Sequence, residues 1–199
     1  MPKLRLLFTK RGKACFIPHV ALPQVFARAG KRAGLEFNYS EGYSPRPKIS
    51  IGPALPVGVI GLEEPVDVDV LSWESPILER WNYFLPVGIR FMKGEEFEGK
   101  SLGKICKAAS FSLFILKDFE PDGIKELLIS KLPEGSILKV ETDTVDKEIR
   151  IDLLDPQQNS PGLFVKALVS EGLIGGWKDI RMVRRVIGFW EDSRVKPVI

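Results

Sequence analysis

Histidine and cysteine are scarce in this 199-residue chain: it has one His, His19, and two Cys, Cys15 and Cys106. These cannot supply four ligands at a familiar spacing, so no His/Cys metal site is expected. There is no CxxC pair, so a disulfide framework is not expected either, and Cys15, set among apolar residues, reads as core. No apolar run approaches the roughly 20 residues needed to cross a bilayer, which argues against a membrane partner. The start, MPKLRLLFTKRGK, has a charge every few positions and no small-residue cleavage site, unlike a signal peptide. Together these features lead to a cytoplasmic expectation. The phosphate-binding motifs GxxxxGK[ST] and GxGxxG are missing, as are an RNP-like aromatic motif and a zinc finger. No cofactor is expected.

The composition is that of a globular protein, 44% hydrophobic and 28% charged, and the length suits two domains of about 100 residues. Net charge is only +3, but it is unevenly spread. Residues 1–50 hold ten Lys or Arg against two acids, and residues 51–100 hold four against nine. A basic end of this kind fits an anionic partner such as nucleic acid, or a solvated face neutralised by the acidic segment that follows.

Hydrophobic periodicity gives an element order. KLRLLFT (Lys3–Thr9) and Ala14–Ile17 read as strand. Leu22, Val25, Phe26, Ala29 and Ala33 then fall on one helical face, with Gln24, Arg28, Lys31 and Arg32 opposite and Gly34 ending the helix. LEFNYS (Leu35–Ser40) reads as strand. PVDVDVL (Pro65–Leu71) alternates strictly, with Asp67 and Asp69 expected to point outward, either as a solvated strand face or as a cation site. Ser75-Pro76 starts a helix carrying Leu78, Trp81 and Leu85, and Gly88–Met92 is a strand. The second half repeats the order: strand Phe111–Leu116, helix Pro121–Leu132, strands Ser136–Glu141 and Glu148–Leu154, a helix opened by Ser160-Pro161, and strand Lys178–Phe189. The predicted fold class is therefore α+β, with two tandem ferredoxin-like (β-α-β-β-α-β) units and antiparallel sheets. The predicted divisions are an N-terminal domain 1–93, a linker 94–109 and a C-terminal domain 110–199.

Between the second and third strands lies EGYSPRPKISIGPALPVGV. Ile49, Ile51, Leu55 and Val57 alternate through it, which argues for a packed segment rather than a disordered linker. Pro45 and Pro47 fix their own φ near −65° and bias Ser44 and Arg46 toward extended geometry. A stiff loop should therefore carry Arg46 and Lys48 toward the helix bearing Arg28, Lys31 and Arg32. Basic groups neutralise phosphates, and aromatics such as Tyr39 and Tyr43 stack on unpaired bases. Arg181, Arg184 and Arg185 form a further basic cluster, in which strict alternation would place Arg181 and Arg185 on one face. His19 sits where the first strand gives way to the first helix. It reads either as a general acid or base, or as a cap or surface residue.

Two segments, KRGKACFIPHVAL and RAGKRAGLEFNYSEGYSPRPKISIGPALPVGV, resemble the radical SAM-linked proteins, a bacterial family. Its members carry an F-L-S-H-L-D-L-like segment, an R-A-x-R-R-A-G-L helix end, an S-x-G-F-N-P-R-P-K-I-S loop and a P-L-P-x-G-V segment. The close match covers about residues 5–60. It includes His19, Arg28, Arg32, Ser40, Gly42, Pro45, Arg46, Pro47 and Lys48. Pro18, Ala21 and Gln24 stand where the family commonly shows Ser, Asp and Arg, which weakens an enzymatic reading. The resemblance implies a radical SAM enzyme as partner, not radical chemistry in this chain, which has no CxxxCxxC motif. At the level of fold, the tandem reading is also similar to the RNA-binding proteins that process CRISPR transcripts.

Three functions are open on these grounds. One is a non-catalytic accessory module that binds RNA through Arg28, Lys31, Arg32, Tyr43, Arg46 and Lys48, with Arg181 and Arg185. The second is a metal-independent RNA-processing enzyme using His19. The third is a protein-docking module without nucleic acid.

Overall fold

A computed structural model describes residues 2–117, 123–143 and 145–199. The protein is mixed α+β, and its strands pair antiparallel within two compact units. One unit comprises Met1–Ile105 with Val198–Ile199, and the other Cys106–Pro197.

The first unit runs β1 (Lys3–Lys10), α1 (Leu22–Ala33), β2 (Ile49–Ile51), β3 (Ile60–Asp69), α2 (Ile77–Phe84), β4 (Ile89–Glu96) and the short α3 (Leu102–Ile105). Its strand order is β4-β1-β3, with β2 paired to β3. Alternation decides which side chains enter the core: Leu4, Leu6 and Phe8 of β1 and Val66 and Val68 of β3 are buried in it. The helical face read from the sequence packs against them, with Leu22, Phe26, Ala29 and Ala33 all buried. Aromatic rings knit sheet to helices. Phe26 lies edge-on to Phe8 at 5.0 Å between centroids, and Trp81 lies 4.5 Å from Phe91. The Trp81 indole N–H donates to the Phe26 carbonyl at 3.0 Å, so this buried polar atom is satisfied.

Three expectations change here. Leu35–Ser40 is not a strand; it makes only isolated bridges, Phe37 to Val70 and Tyr39 to Pro47. The prolines that follow remove the N–H donors a longer ladder would need. Ala14–Ile17 is a 3₁₀ turn, part of Gly12–Phe16, rather than strand. Asp67 is not a solvated outward residue. It is 9% exposed and stands directly across from Arg5, whose guanidinium donates to both carboxylate oxygens at 2.7 and 2.9 Å. Arg5 also donates to the Lys100 carbonyl at 2.9 Å and lies 3.9 Å from the Phe97 ring centre. The alternation was read correctly, but the face opposite the helices is covered, so its charges must pair.

The second unit runs β5 (Ala108–Ile115), α4 (Ile124–Lys131), β6 (Ile137–Asp143), β7 (Glu148–Leu154), α5 (Gly162–Ser170), β8 (Ile180–Glu191) and β9 (Arg194–Pro197). Its strand order is β8-β5-β7-β6, with β9 paired to β8. The stretch expected to link the halves, 94–109, contains the end of β4, all of α3 and the start of β5. Pro121 and Asp122, expected to open a helix, lie outside the described residues. Phe111 packs edge-on against Phe164 of α5, with ring centres 6.0 Å apart.

The Arg5–Asp67 pair predicts a specific stability pattern. Asp67→Ala strands a buried guanidinium and should cost about 3–5 kcal/mol in urea unfolding. The double variant Arg5→Leu/Asp67→Leu should recover much of that loss, because no charge is left buried.

Candidate functional site

The site begins with α1. Pro23 occupies its first turn, where no N–H partner is needed. At its far end Gly34 adopts φ 90°, a left-handed conformation that glycine takes without steric penalty. This C-cap lets the Gly34 N–H donate to the Lys31 carbonyl at 3.1 Å and the Leu35 N–H to the Gly30 carbonyl at 2.9 Å. The Arg80 guanidinium donates to the Ala33 carbonyl. Lys31 and Arg32 lie in the last turn, where the helix dipole favours cations.

The Pro-rich loop faces this helix, and backbone hydrogen bonds pin it at its base. Ser40 N–H donates to the Arg46 carbonyl at 2.8 Å, and Lys48 N–H donates to the Asn38 carbonyl at 2.8 Å. Both sides also join the end of β3: Asn38 N–H donates to the Asp69 carbonyl at 2.9 Å, and Asp69 N–H to the Lys48 carbonyl at 3.0 Å. The Ser40 hydroxyl accepts from Arg46 N–H at 3.1 Å. Gly42 turns the tip at φ 114°.

Between helix and loop lies a groove of about 840 Å³. Arg28 and Lys31 line it from α1, and Arg46 and Lys48 from the loop, all four exposed. Among the described residues none of the four pairs with a carboxylate. Lys31 Nζ sits 5.3 Å from the centre of the Tyr39 ring, a cation–π contact. Several groove residues carried no individual functional signal in the sequence: Ala27 is buried, Pro23 and Ile49 are half-buried, and Val20 is exposed; half-buried Pro47 was marked by the proline spacing and the family resemblance. Ser40 was marked by family resemblance, but its role as a hydrogen-bond anchor comes from the fold.

The remaining candidates lie elsewhere. Arg32 is exposed but does not line the groove, and Tyr43 is fully exposed at the loop tip. His19 opens the 3₁₀ turn His19–Ala21 and is half-buried; its neighbour Val20 lines the groove, but His19 does not. Cys15 is buried and donates through its thiol to the Lys10 carbonyl at 3.3 Å. Burial pushes its thiol up, which suits a core residue rather than a nucleophile. Among the described residues, no three His, Cys, Asp or Glu side chains are placed to hold a metal ion.

Arg181 and Arg185 belong to the second unit. Alternation is regular from Arg181 to Arg184; beyond it Arg184 stands opposite Phe111 and Val186 opposite Ser110, leaving Arg185 as the extra residue of a β-bulge. Arg181 is exposed, whereas Arg184 is 1% exposed. Arg185 donates through Nε to the Ser112 hydroxyl and through its terminal nitrogen to Glu148 Oε1 at 2.9 Å. Ser112 also donates to Glu148, and Arg150 reaches both Glu148 oxygens at 3.3 Å. Arg185 is thus engaged within its own sheet. Burial alone would raise the Glu148 carboxyl, but hydrogen bonds from Ser112 and Arg185, with the charges of Arg185 and Arg150, outweigh it and hold it below its ordinary value.

With this geometry established, comparison with known proteins places the chain in a family. It belongs to the family described as "Uncharacterized protein conserved in bacteria (DUF2344)", whose model matches residues 3–156. No protein of curated function matches it. In fold it resembles a chain of the archaeal box H/ACA sRNP Nop10–Cbf5 complex, at a TM-score of 0.50 and 12% identity, over 98% of this chain and 50% of that one. An H/ACA RNP bound to a substrate RNA containing 2′-deoxyuridine gives 0.49 and 12%, over 98% and 51%. The first two RRM domains of yeast poly(U) binding protein (Pub1) give 0.23 and 12%, over 90% and 98%. The chain therefore spans about half the length of the two H/ACA chains, and at 12% identity the likeness to the Nop10–Cbf5 complex chain is one of fold alone. Among the described residues, no helix is long and apolar enough to cross a membrane.

The depressed Glu148 carboxyl predicts an acid dependence. A carboxyl held low in the folded state contributes stability that is full above its unfolded value and is lost as pH falls through the folded one. Glu148→Gln should therefore flatten the fall in urea midpoint on acidification below the usual carboxylate range, relative to the unsubstituted protein.

Proposed function

We propose that this chain is a non-catalytic RNA-binding module of the cytoplasm that acts as accessory to a radical SAM enzyme. The observation that carries the RNA reading is the convergence of Arg28, Lys31, Arg46 and Lys48 on one groove with no carboxylate partner among the described residues. Other cations of the chain pair with acids: Arg5 with Asp67, Arg185 with Glu148, and Lys117 with Asp179. Four like charges held close together repel one another, and an anion relieves that repulsion; a phosphate backbone supplies anions at a repeating spacing. The fold likeness to an H/ACA ribonucleoprotein chain is in keeping with this reading.

The architecture proposed is two tandem ferredoxin-like units. The β-α-β-β-α-β order in each half and the 4-1-3-2 arrangement of each set of four strands support it. The radical SAM partner rests on the sequence motifs around His19 and the Pro-rich loop. His19 stands outside the groove lining, which favours binding over cleavage.

The test is RNA binding measured across salt concentrations. Each phosphate neutralised contributes a slope of about −0.7 in log K against log salt for a single strand. Arg46→Ala/Lys48→Ala should therefore make the slope shallower by about 1.4 and weaken binding at low salt, while circular dichroism stays unchanged. Absence of RNA binding at low salt would refute the reading. The partnership predicts that a radical SAM enzyme co-purifies with the chain after nuclease treatment.

A further inference from the structure

We infer that the groove takes unpaired RNA, with sugar or base faces on its floor and phosphates along its rim, and does not take a duplex. This inference rests on the RNA-binding reading above and names its substrate class. It comes from the separation of chemistry within the groove. The four cations are exposed and form the rim. The less exposed lining is mostly apolar, made by buried Ala27 and half-buried Pro23, Pro47 and Ile49 with the half-buried Ser40 hydroxyl among them, and exposed Val20 and Gln24 complete it.

A site that bound phosphates alone would have no use for an apolar floor. Apolar surface is covered favourably only by a ligand that brings apolar surface of its own. In a duplex the base faces are stacked inside the helix, leaving phosphates, sugars and base edges outside. In a single strand the base faces are free to be splayed onto protein surface while the backbone follows a basic groove. The groove volume of about 840 Å³ lies within the size range of sites that enclose a small ligand, so only a short stretch of strand fits. The floor is also stiff. Pro23 belongs to the first turn of α1, and Pro47 bridges to Tyr39 at the base of the loop. Tyr39, 40% exposed beneath Lys31, adds an aromatic surface beside the rim.

The test compares one labelled ten-nucleotide RNA, free and annealed to its complement, by fluorescence anisotropy at the same salt. The single strand should bind at least tenfold more tightly. Equal or tighter binding of the duplex would overturn the inference while leaving the RNA-binding reading intact; failure of both forms to bind would sink that reading itself. The companion variant is Val20→Ser, at a position 86% exposed where folding is not at stake. It should weaken single-strand binding about three- to tenfold with no change in salt slope, because it removes apolar contact and no charge. An unchanged affinity, or a loss accompanied by a shallower slope, would contradict the proposed role of the floor.

Discussion

The candidate site depends on the hydrogen bonds that clamp the base of the Pro-rich loop. Asn38 and Lys48 both bond to Asp69 at the end of β3, and Ser40 and Arg46 bond to each other by backbone and hydroxyl. Without this clamp, Arg46 and Lys48 would sit on a mobile excursion, and like-charge repulsion would drive them away from Arg28 and Lys31. With it, the ordering cost is met on folding rather than on binding, because β3 itself is held by the hydrophobic core through Val66 and Val68. A chain of support therefore runs from core to strand end, from strand end to loop base, and from loop base to the cations.

The two units handle their charges in opposite ways. In the first, Arg5 and Asp67 pair on a covered sheet face, and the four groove cations are left for solvent or a ligand. In the second, Glu148 gathers Arg150, Arg185 and Ser112 into one network. A carboxylate that accepts several donors is well compensated, and such a cluster fixes side-chain geometry more than it adds net stability.

Much of this was legible in the chain itself. The period of Leu22, Phe26, Ala29 and Ala33 defined α1 and so placed Arg28 and Lys31 on its outer side. The proline spacing around Arg46 indicated a stiff loop, and the basic bias of the first fifty residues indicated where the cations gather. Other features depend on contacts distant in sequence and left no local trace. Asp67 reads as solvated because alternation reports only which side a residue faces, not what covers that side; Arg5 lies 62 positions away. The bulge at Arg185 adds one residue to a single strand, and neither neighbouring residue announces it. LEFNYS has the composition of a strand, yet the prolines across from it leave only single bridges. The apolar lining combines residues from a helix, a turn, a loop and the start of β2, which no local pattern brings together.

The loop tip has a different status from its base. From Glu41 to Pro45 every residue is exposed, and Tyr43 projects fully into solvent, while the clamp lies below it at Ser40 and Arg46. Tip and groove are mechanically insulated from each other. The tip is therefore the part of this surface whose exposed side chains can be relabelled without retuning the cations beneath it. Its exposed Tyr43 is a natural place to attach a reporter dye.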